Sequence, residues 1–137
     1  MEKQLNKSIL ITGCSTGIGA ALVAEFLRQG FLVFGSIREK KMEVPLKKKY
    51  GVNFVPLVFD VTNYSQISKA YKKVKLTLKG ANLGILINNA GIAKLGPVEH
   101  ISSEEFDLHL KTIVLGTFNC VQIFLPLLGA KNKCSPG

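Results

Sequence analysis

The amino-acid sequence predicts an α/β fold, a partial doubly wound parallel sheet of strand order 3-2-1-4 with flanking helices. Three observations carry this. Short, wholly apolar runs alternate with stretches of helical periodicity along all 137 residues. Strands apolar at every position belong to sheets covered on both faces, and such sheets are parallel. Pro56 lies inside the third apolar run, and proline, having no N–H for a ladder, is confined to a sheet edge. Right-handed crossovers leave few arrangements, and 3-2-1-4 is the one that puts the third strand outermost.

Taken in order, Ser8-Ile9-Leu10-Ile11-Thr12 reads as the first buried strand and ends in a glycine. A helix follows over 17–29, apolar at Ile18, Ala21, Leu22 and Phe26 and stopped by Gly30. The second strand is 31–36. The basic stretch 40–50 reads as one or two helical turns broken by Pro45, and the third strand as 53–59. Asn63 or Ser65 caps a helix with Ile67, Ala70, Tyr71, Val74 and Leu78 on one face. The fourth strand is 83–87, and Ser102 or Ser103, followed by Glu104 and Glu105, opens a long helix to about Leu128 with Pro126 in its last turn. With no repeat or linker in 1–137, this is a single domain.

Bulk composition narrows the function classes. The apolar and charged fractions, 47% and 20%, are those of a globular domain rather than a disordered one. No apolar run approaches bilayer-spanning length and the polar start resembles no signal peptide, so a cytoplasmic protein without a membrane span is expected. Cys14, Cys120 and Cys134 share no metal-ligand spacing and read as free thiols of a reducing compartment. The net charge of +9 comes from lysines clustered at 40–49 and 69–79, without interleaved aromatics or a nucleic-acid motif; these read as a solvated face, and no nucleic-acid partner is expected. His100 and His109 have no metal partner at a suitable spacing and read as surface or capping residues.

The chemistry begins at Thr12-Gly13-Cys14-Ser15-Thr16-Gly17-Ile18-Gly19, between the first strand and the first helix. Gly13 permits the sharp turn, Gly17 lets the backbone approach a pyrophosphate, and Gly19 lets the helix pack tightly on the sheet. The helix N-terminus aims free N–H groups and a partial positive charge at the phosphates, and Ser15 and Thr16 add hydroxyls. A glycine turn between a strand and a helix points to a dinucleotide site, although its spacing differs from the common G-x-G-x-x-G fingerprint. Cofactor choice is read at the end of the second strand, where a carboxylate would bind the ribose 2′-OH of NAD. Here Ser36-Ile37-Arg38 offers a guanidinium instead, whose charge and fork geometry suit a 2′-phosphate, so NADP(H) is favoured over NAD. Glu39 is near enough that a one-residue shift would bring a carboxylate to the same place.

The spacing Thr-Gly-x-x-x-Gly-Ile-Gly at 12–19 resembles the short-chain dehydrogenases/reductases, and three further blocks match in order. Asp60-Val61 resembles the segment whose aspartate, in that family, hydrogen-bonds the adenine amino group while the next residue gives a backbone contact. Asn88-Asn89-Ala90-Gly91 is similar to the family segment whose first Asn steadies the sheet and whose Ala-Gly backbone lies along the cofactor ribose. Gly96-Pro97-Val98-Glu99 and the long helix ending Phe124-Leu125-Pro126-Leu127-Leu128 are also similar. The resemblance implies that Gly13, Ser15, Thr16, Gly17, Ile18, Gly19, Arg38, Asp60, Val61, Asn88, Ala90 and Gly91 hold the cofactor of an oxidoreductase that interconverts carbonyls and alcohols by hydride transfer.

The family's catalytic Ser and Tyr-x-x-x-Lys have no counterpart here, so no catalytic residue is assigned and the chain is expected to be a truncated, inactive cofactor-binding half. The spacing Tyr71…Lys75 occurs, but on a helix whose apolar stripe includes Tyr71, which makes it a packing residue. Ser135 follows no buried strand. Ile113 stands where the family carries an Asn of a proton relay. A non-catalytic module that pairs with another subunit through the long helix is the alternative, and the substrate is not legible. An open edge at Ile85, Leu86 and Ile87, with Ile113, Val114, Phe118, Val121 and Phe124 facing solvent, predicts a marginal monomer that associates.

Overall fold

The computed structural model describes residues 7–129; the expectations placed on the N-terminus, Cys134 and Ser135 lie outside them. Four parallel strands, β1 (Ser8–Ile11), β2 (Leu32–Ile37), β3 (Phe54–Val58) and β4 (Ile85–Ile87), form one sheet in the order β3-β2-β1-β4. This is the expected order. β1 pairs with β2 from Ser8↔Leu32 and with β4 from Ile9↔Ile85, and β2 pairs with β3 from Val33↔Phe54.

Alternation along the strands splits the core into two layers, because successive side chains point to opposite faces. Ile9, Ile11, Val33, Ile37 and Phe54 pack with Val23 of α1 (Gly17–Arg28) and Leu46 of α2 (Glu43–Tyr50). Leu10, Phe34, Val55 and Leu57 pack on the other face. Their partners are Ile67, Ala70, Val74 and Leu78 of α3 (Tyr64–Leu78), with Cys120, Phe124 and Leu127 of the C-terminal helix. Tyr71 joins this layer, its ring centroid 6.2 Å from that of Phe124.

The two rims of the sheet differ. On the β3 rim Pro56 presents no N–H, and Lys73 Nζ donates to its carbonyl at 2.8 Å. On the β4 rim Ile85, Leu86 and Ile87 are half-buried and, among the described residues, no strand lies beyond them.

Several expectations need correction. Pro45 does not break its segment: a 3-10 turn, Lys40–Met42, runs directly into α2, where Pro45 is third in the first turn and no helix carbonyl waits for its missing N–H. β2 is displaced by one residue, so Ser36 and Ile37 belong to the strand and Arg38 follows it at once. β4 is shorter than expected because Leu83 N–H donates to Leu127 O (2.7 Å), the end of the C-terminal helix. Asn63, not Ser65, caps α3, and Ser102 caps α4 (Ser103–His109) in a capping box with Glu105.

The long helix is also not uniform. After α4 it passes through a π turn, Leu110–Leu115, then α5 (Gly116–Phe124), then a 3-10 turn, Leu125–Leu128. As one helix of 26 residues it is long and apolar enough, by length and composition alone, to cross a membrane, which corrects the expectation that no segment approaches that length. In this fold one side of it packs on the sheet. Phe124, expected at the surface, is fully buried, whereas Ile113, Val114, Phe118 and Val121 are exposed as expected.

Candidate functional site

Parallel strands bring all four carboxyl ends to one rim, and the loops that leave them enclose a cleft of about 330 Å³. Gly13, Ser15, Thr16 and Ile18 enter from the β1 turn, Ser36, Ile37 and Arg38 from β2, and Phe59, Asp60, Val61 and Thr62 from β3. Asn89, Ala90, Gly91 and Ile92 follow β4, and Leu108 and Thr112 close the cleft from the C-terminal helix.

Of the twelve residues singled out in the sequence, the cleft wall contains nine: Gly13, Ser15, Thr16, Ile18, Arg38, Asp60, Val61, Ala90 and Gly91. The other three do not line it. Gly17 has φ +60 and nothing within 4 Å of where a side chain would begin, so its glycine is required by the backbone and leaves open space at the helix start. Gly19 is a packing glycine: a Cβ there would meet Gly13 O and come within 2.6 Å of Asn89 Nδ2. Gly13 likewise lies against Ala90, whose Cα would be 2.8 Å from an added Cβ.

Asn88 is the third. The second Asn of the pair braces the glycine turn. Asn89 Nδ2 donates to Thr12 O (3.0 Å) and Gly13 O (2.8 Å), while Asn89 N and Ala90 N both donate to Thr12 Oγ1 (3.0 and 2.9 Å). Asn88 Oδ1 is buried without a hydrogen-bond partner among the described residues, at the end of the open strand. On the opposite side Ser36 fixes the glycine turn, its Oγ accepting from Gly13 N (2.9 Å) and its O from Cys14 N (3.0 Å).

The electrostatics favour an anion. α1 begins at Thr16, whose side chain makes no cap bond, and no acid lies in its first turn. α3 and α4, by contrast, are both closed by cap side chains. The free N–H groups and positive end of α1 therefore face the cleft. Arg38 is exposed and forms no hydrogen bond or ion pair among the described residues. Glu39 does not compete for its place: it pairs with Lys41 at 2.6 Å, which holds its carboxyl below the ordinary value, and it lies outside the cleft wall. Asp60 is held by Thr62, whose N and Oγ1 both donate to Asp60 Oδ1 (2.8 and 2.7 Å).

Burial pushes the thiols of Cys14 and Cys120 up to about 12, so neither is a nucleophile near neutrality. His109 is a tie rather than a ligand: its Nε2 accepts from Lys94 N (3.0 Å) and its Nδ1 donates to Glu105 O (2.8 Å), pinning the loop after Gly91 to α4. Among the described residues no group of His, Cys, Asp and Glu is arranged to hold a metal. Ser36, Thr62, Asn89, Leu108 and Thr112 are cleft residues that sequence reasoning missed. The side chain of Ser36 follows from the two-residue alternation of β2, and that signal was available in the sequence.

A cleft at the carboxyl ends of a β3-β2-β1-β4 sheet, with a glycine turn and an uncapped helix N-terminus in its wall, defines a Rossmann-type α/β protein. More narrowly, the chain belongs to the short-chain dehydrogenase family, whose sequence model matches residues 7–135. It is 38% identical over 124 residues to an NADPH-dependent 3-dehydrocapnine reductase of Ornithobacterium rhinotracheale, covering 90% of this chain and 44% of the relative. It is 34% identical over 128 residues to the mitochondrial D-beta-hydroxybutyrate dehydrogenase of Mus musculus, covering 89% of this chain and 37% of the relative. Among solved structures, an NADPH-bound carbonyl reductase from chicken fatty liver superposes with a TM-score of 0.81 at 30% identity, over 88% of this chain and 48% of the other. The chain thus spans less than half the length of each.

Proposed function

We propose that residues 1–137 form a single NADP(H)-binding unit of a short-chain oxidoreductase, the whole of which interconverts a carbonyl and an alcohol by hydride transfer. The observation that carries this is the uncapped N-terminus of α1 opening into a cleft whose β2 corner holds an unpaired arginine. The bound cofactor supplies the hydride chemistry; these residues bind and orient it. Backbone N–H groups of the Gly13–Gly19 turn hold the pyrophosphate, helped by the hydroxyls of Ser15 and Thr16. Arg38 pairs with the 2′-phosphate. Asp60, with Oδ1 engaged by Thr62, keeps Oδ2 for the adenine amino group, and the Ala90-Gly91 backbone lies along the ribose. The NADPH named for the reductase relatives agrees with this choice of cofactor.

We further propose that these residues alone transfer no hydride. Tyr71 and Lys75 have the spacing of a phenol and its lysine, but Tyr71 packs against Phe124 and lies outside the cleft wall. Ile113, at the relay position, offers no hydrogen bond. The open β4 rim and the exposed apolar residues of the C-terminal helix favour association with a further element or subunit. The free thiols of Cys14 and Cys120 are the basis for assigning the protein to a reducing cytoplasm.

Calorimetric titration with NADPH and NADH tests the reading. NADPH should bind more tightly, and Arg38→Ala should erase the preference. Gly17→Val should remove binding of both, since a valine at φ +60 is strained and would enter the phosphate space. Equal affinities in the unaltered chain, or a preference that survives Arg38→Ala, would refute the assignment.

A further inference from the structure

One cleft residue has a chemistry that its own fold leaves unused. Thr112 lies in the π turn of the C-terminal helix, is only 8% exposed, and lines the cleft, yet its hydroxyl has no hydrogen-bond partner among the described residues. Helical hydroxyls ordinarily bond back to the carbonyl four residues earlier. Ser68 does so to Tyr64 O (3.0 Å) and Thr77 to Lys73 O (2.8 Å), both in α3. Thr112 makes no such bond to Leu108, because the π turn replaces the i→i+4 ladder with i→i+5 bonds. Its oxygen is not sealed within protein, unlike Asn88 Oδ1, and so stays open to a partner from outside the fold.

Its position selects which part of a ligand it meets. Gly116, one turn on, is packed so closely on β3's loop that an added Cβ would lie 2.6 Å from Val61 Cγ2. Thr112 therefore stands over the β3 side of the cleft, with Asp60 and Val61. In doubly wound sheets the pyrophosphate lies over the β1 turn and the adenosine ribose at the end of β2, and the role proposed above for Asp60 puts the adenine beside β3. Resting on the NADP(H) reading above, we infer that Thr112 is a further cofactor-binding residue, its hydroxyl hydrogen-bonding the adenosine moiety from the helix side, opposite Asp60. A hydroxyl both donates and accepts, so it serves either the ring nitrogens or the amino group.

The test compares Thr112→Val, which keeps shape and removes the oxygen, with Thr112→Ser, which keeps the oxygen. Titrations use NADPH and 2′-phospho-ADP-ribose, which lacks the nicotinamide end. Thr112→Val should weaken both by roughly five- to tenfold, the scale of one hydrogen bond. Thr112→Ser should bind within about twofold of the unaltered chain, and the ligand-free melting temperature of Thr112→Val should not fall, since no protein contact is lost. Equal binding by Thr112→Val, equal weakening by Thr112→Ser, a lower ligand-free melting temperature, or a loss confined to NADPH would each overturn the inference. If the unaltered chain binds NADPH while Thr112→Val binds it equally, only this inference fails. If neither binds, the cofactor reading fails with it.

Discussion

Replacing Thr12 by valine alters almost no volume but withdraws one oxygen from the point where β1, the glycine turn and the Asn89-Ala90 segment meet. Thr12 is buried, and its Oγ1 accepts two backbone N–H groups, those of Asn89 (3.0 Å) and Ala90 (2.9 Å). Valine presents a methyl to both. Each N–H left without a partner costs about 1–3 kcal/mol when buried. Asn89 and Ala90 are only partly buried, which favours the lower half of that range, so the pair should cost about 2–4 kcal/mol. Against a domain stability of about 5–15 kcal/mol this is a large fraction. Thr12→Ser is the control: it keeps the oxygen and loses one methyl, about 1 kcal/mol. Urea unfolding of the two variants and the unaltered chain, read as midpoints at constant slope, gives the comparison. Thr12→Val unfolding at the same urea concentration as Thr12→Ser would refute the view that this hydroxyl is the joint between the two halves of the cleft.

Gly19→Ala should destabilise the fold by more than about 2 kcal/mol, since the new methyl meets backbone atoms of Gly13 and Cys14 as well as Asn89 Nδ2; a melting temperature within a degree of the original would contradict the packing. Cys14 should resist iodoacetamide at pH 8 in the native chain and react at once in urea, because burial pushes its thiol up to about 12; rapid native labelling, followed by mass spectrometry of the labelled peptide, would oppose this. The same shift sets a pH dependence. With the unfolded thiol ionising near its ordinary 9.0 and the folded one near 12, the stability is fully present below about pH 9 and is lost as pH rises toward 12. Melts from pH 7 to 11 should therefore decline above 9, and Cys14→Ala should flatten the decline. Sedimentation of the isolated chain should reveal self-association; a monodisperse monomer with a cooperative melt at ordinary temperature would argue against the open rim and exposed helix residues as association surfaces.

Much of this fold was legible because single residues carried topological information. Pro56 alone placed β3 at the rim, and the Gly13–Gly19 spacing placed a cleft at the end of β1. What escaped had no pattern to betray it. Apolar spacing in 103–128 is satisfied by a continuous α-helix, and an i→i+5 turn at Leu110–Leu115 changes no residue type, so Thr112 and Leu108 could not be assigned to the cleft. That Asn89 braces the glycine turn depends on which way its side chain leaves the end of a three-residue strand. Pro45 misled because proline's effect depends on its distance from the helix start, which the basic segment does not mark.

The central place of β1 also bears on the order in which the molecule assembles. Its partner on one side, β2, follows almost at once, whereas the residues that close its other side, such as Gly84 against Ser8, lie 76 positions away. The separation is about three times greater, so by loop-closure entropy the second pairing costs about 1 kcal/mol more to initiate. β1, β2 and β3 with α1 and α2 should therefore form before β4 docks through the Thr12 and Ser8 contacts. Since Asn89, Ala90 and Gly91 enter with β4, the cleft lacks that wall until this step. A nucleotide that needs the whole cleft will meet no competent site on the half-built sheet, and it accelerates nothing before β4 arrives. Added during refolding, it should slow unfolding while leaving the early phase of folding unchanged.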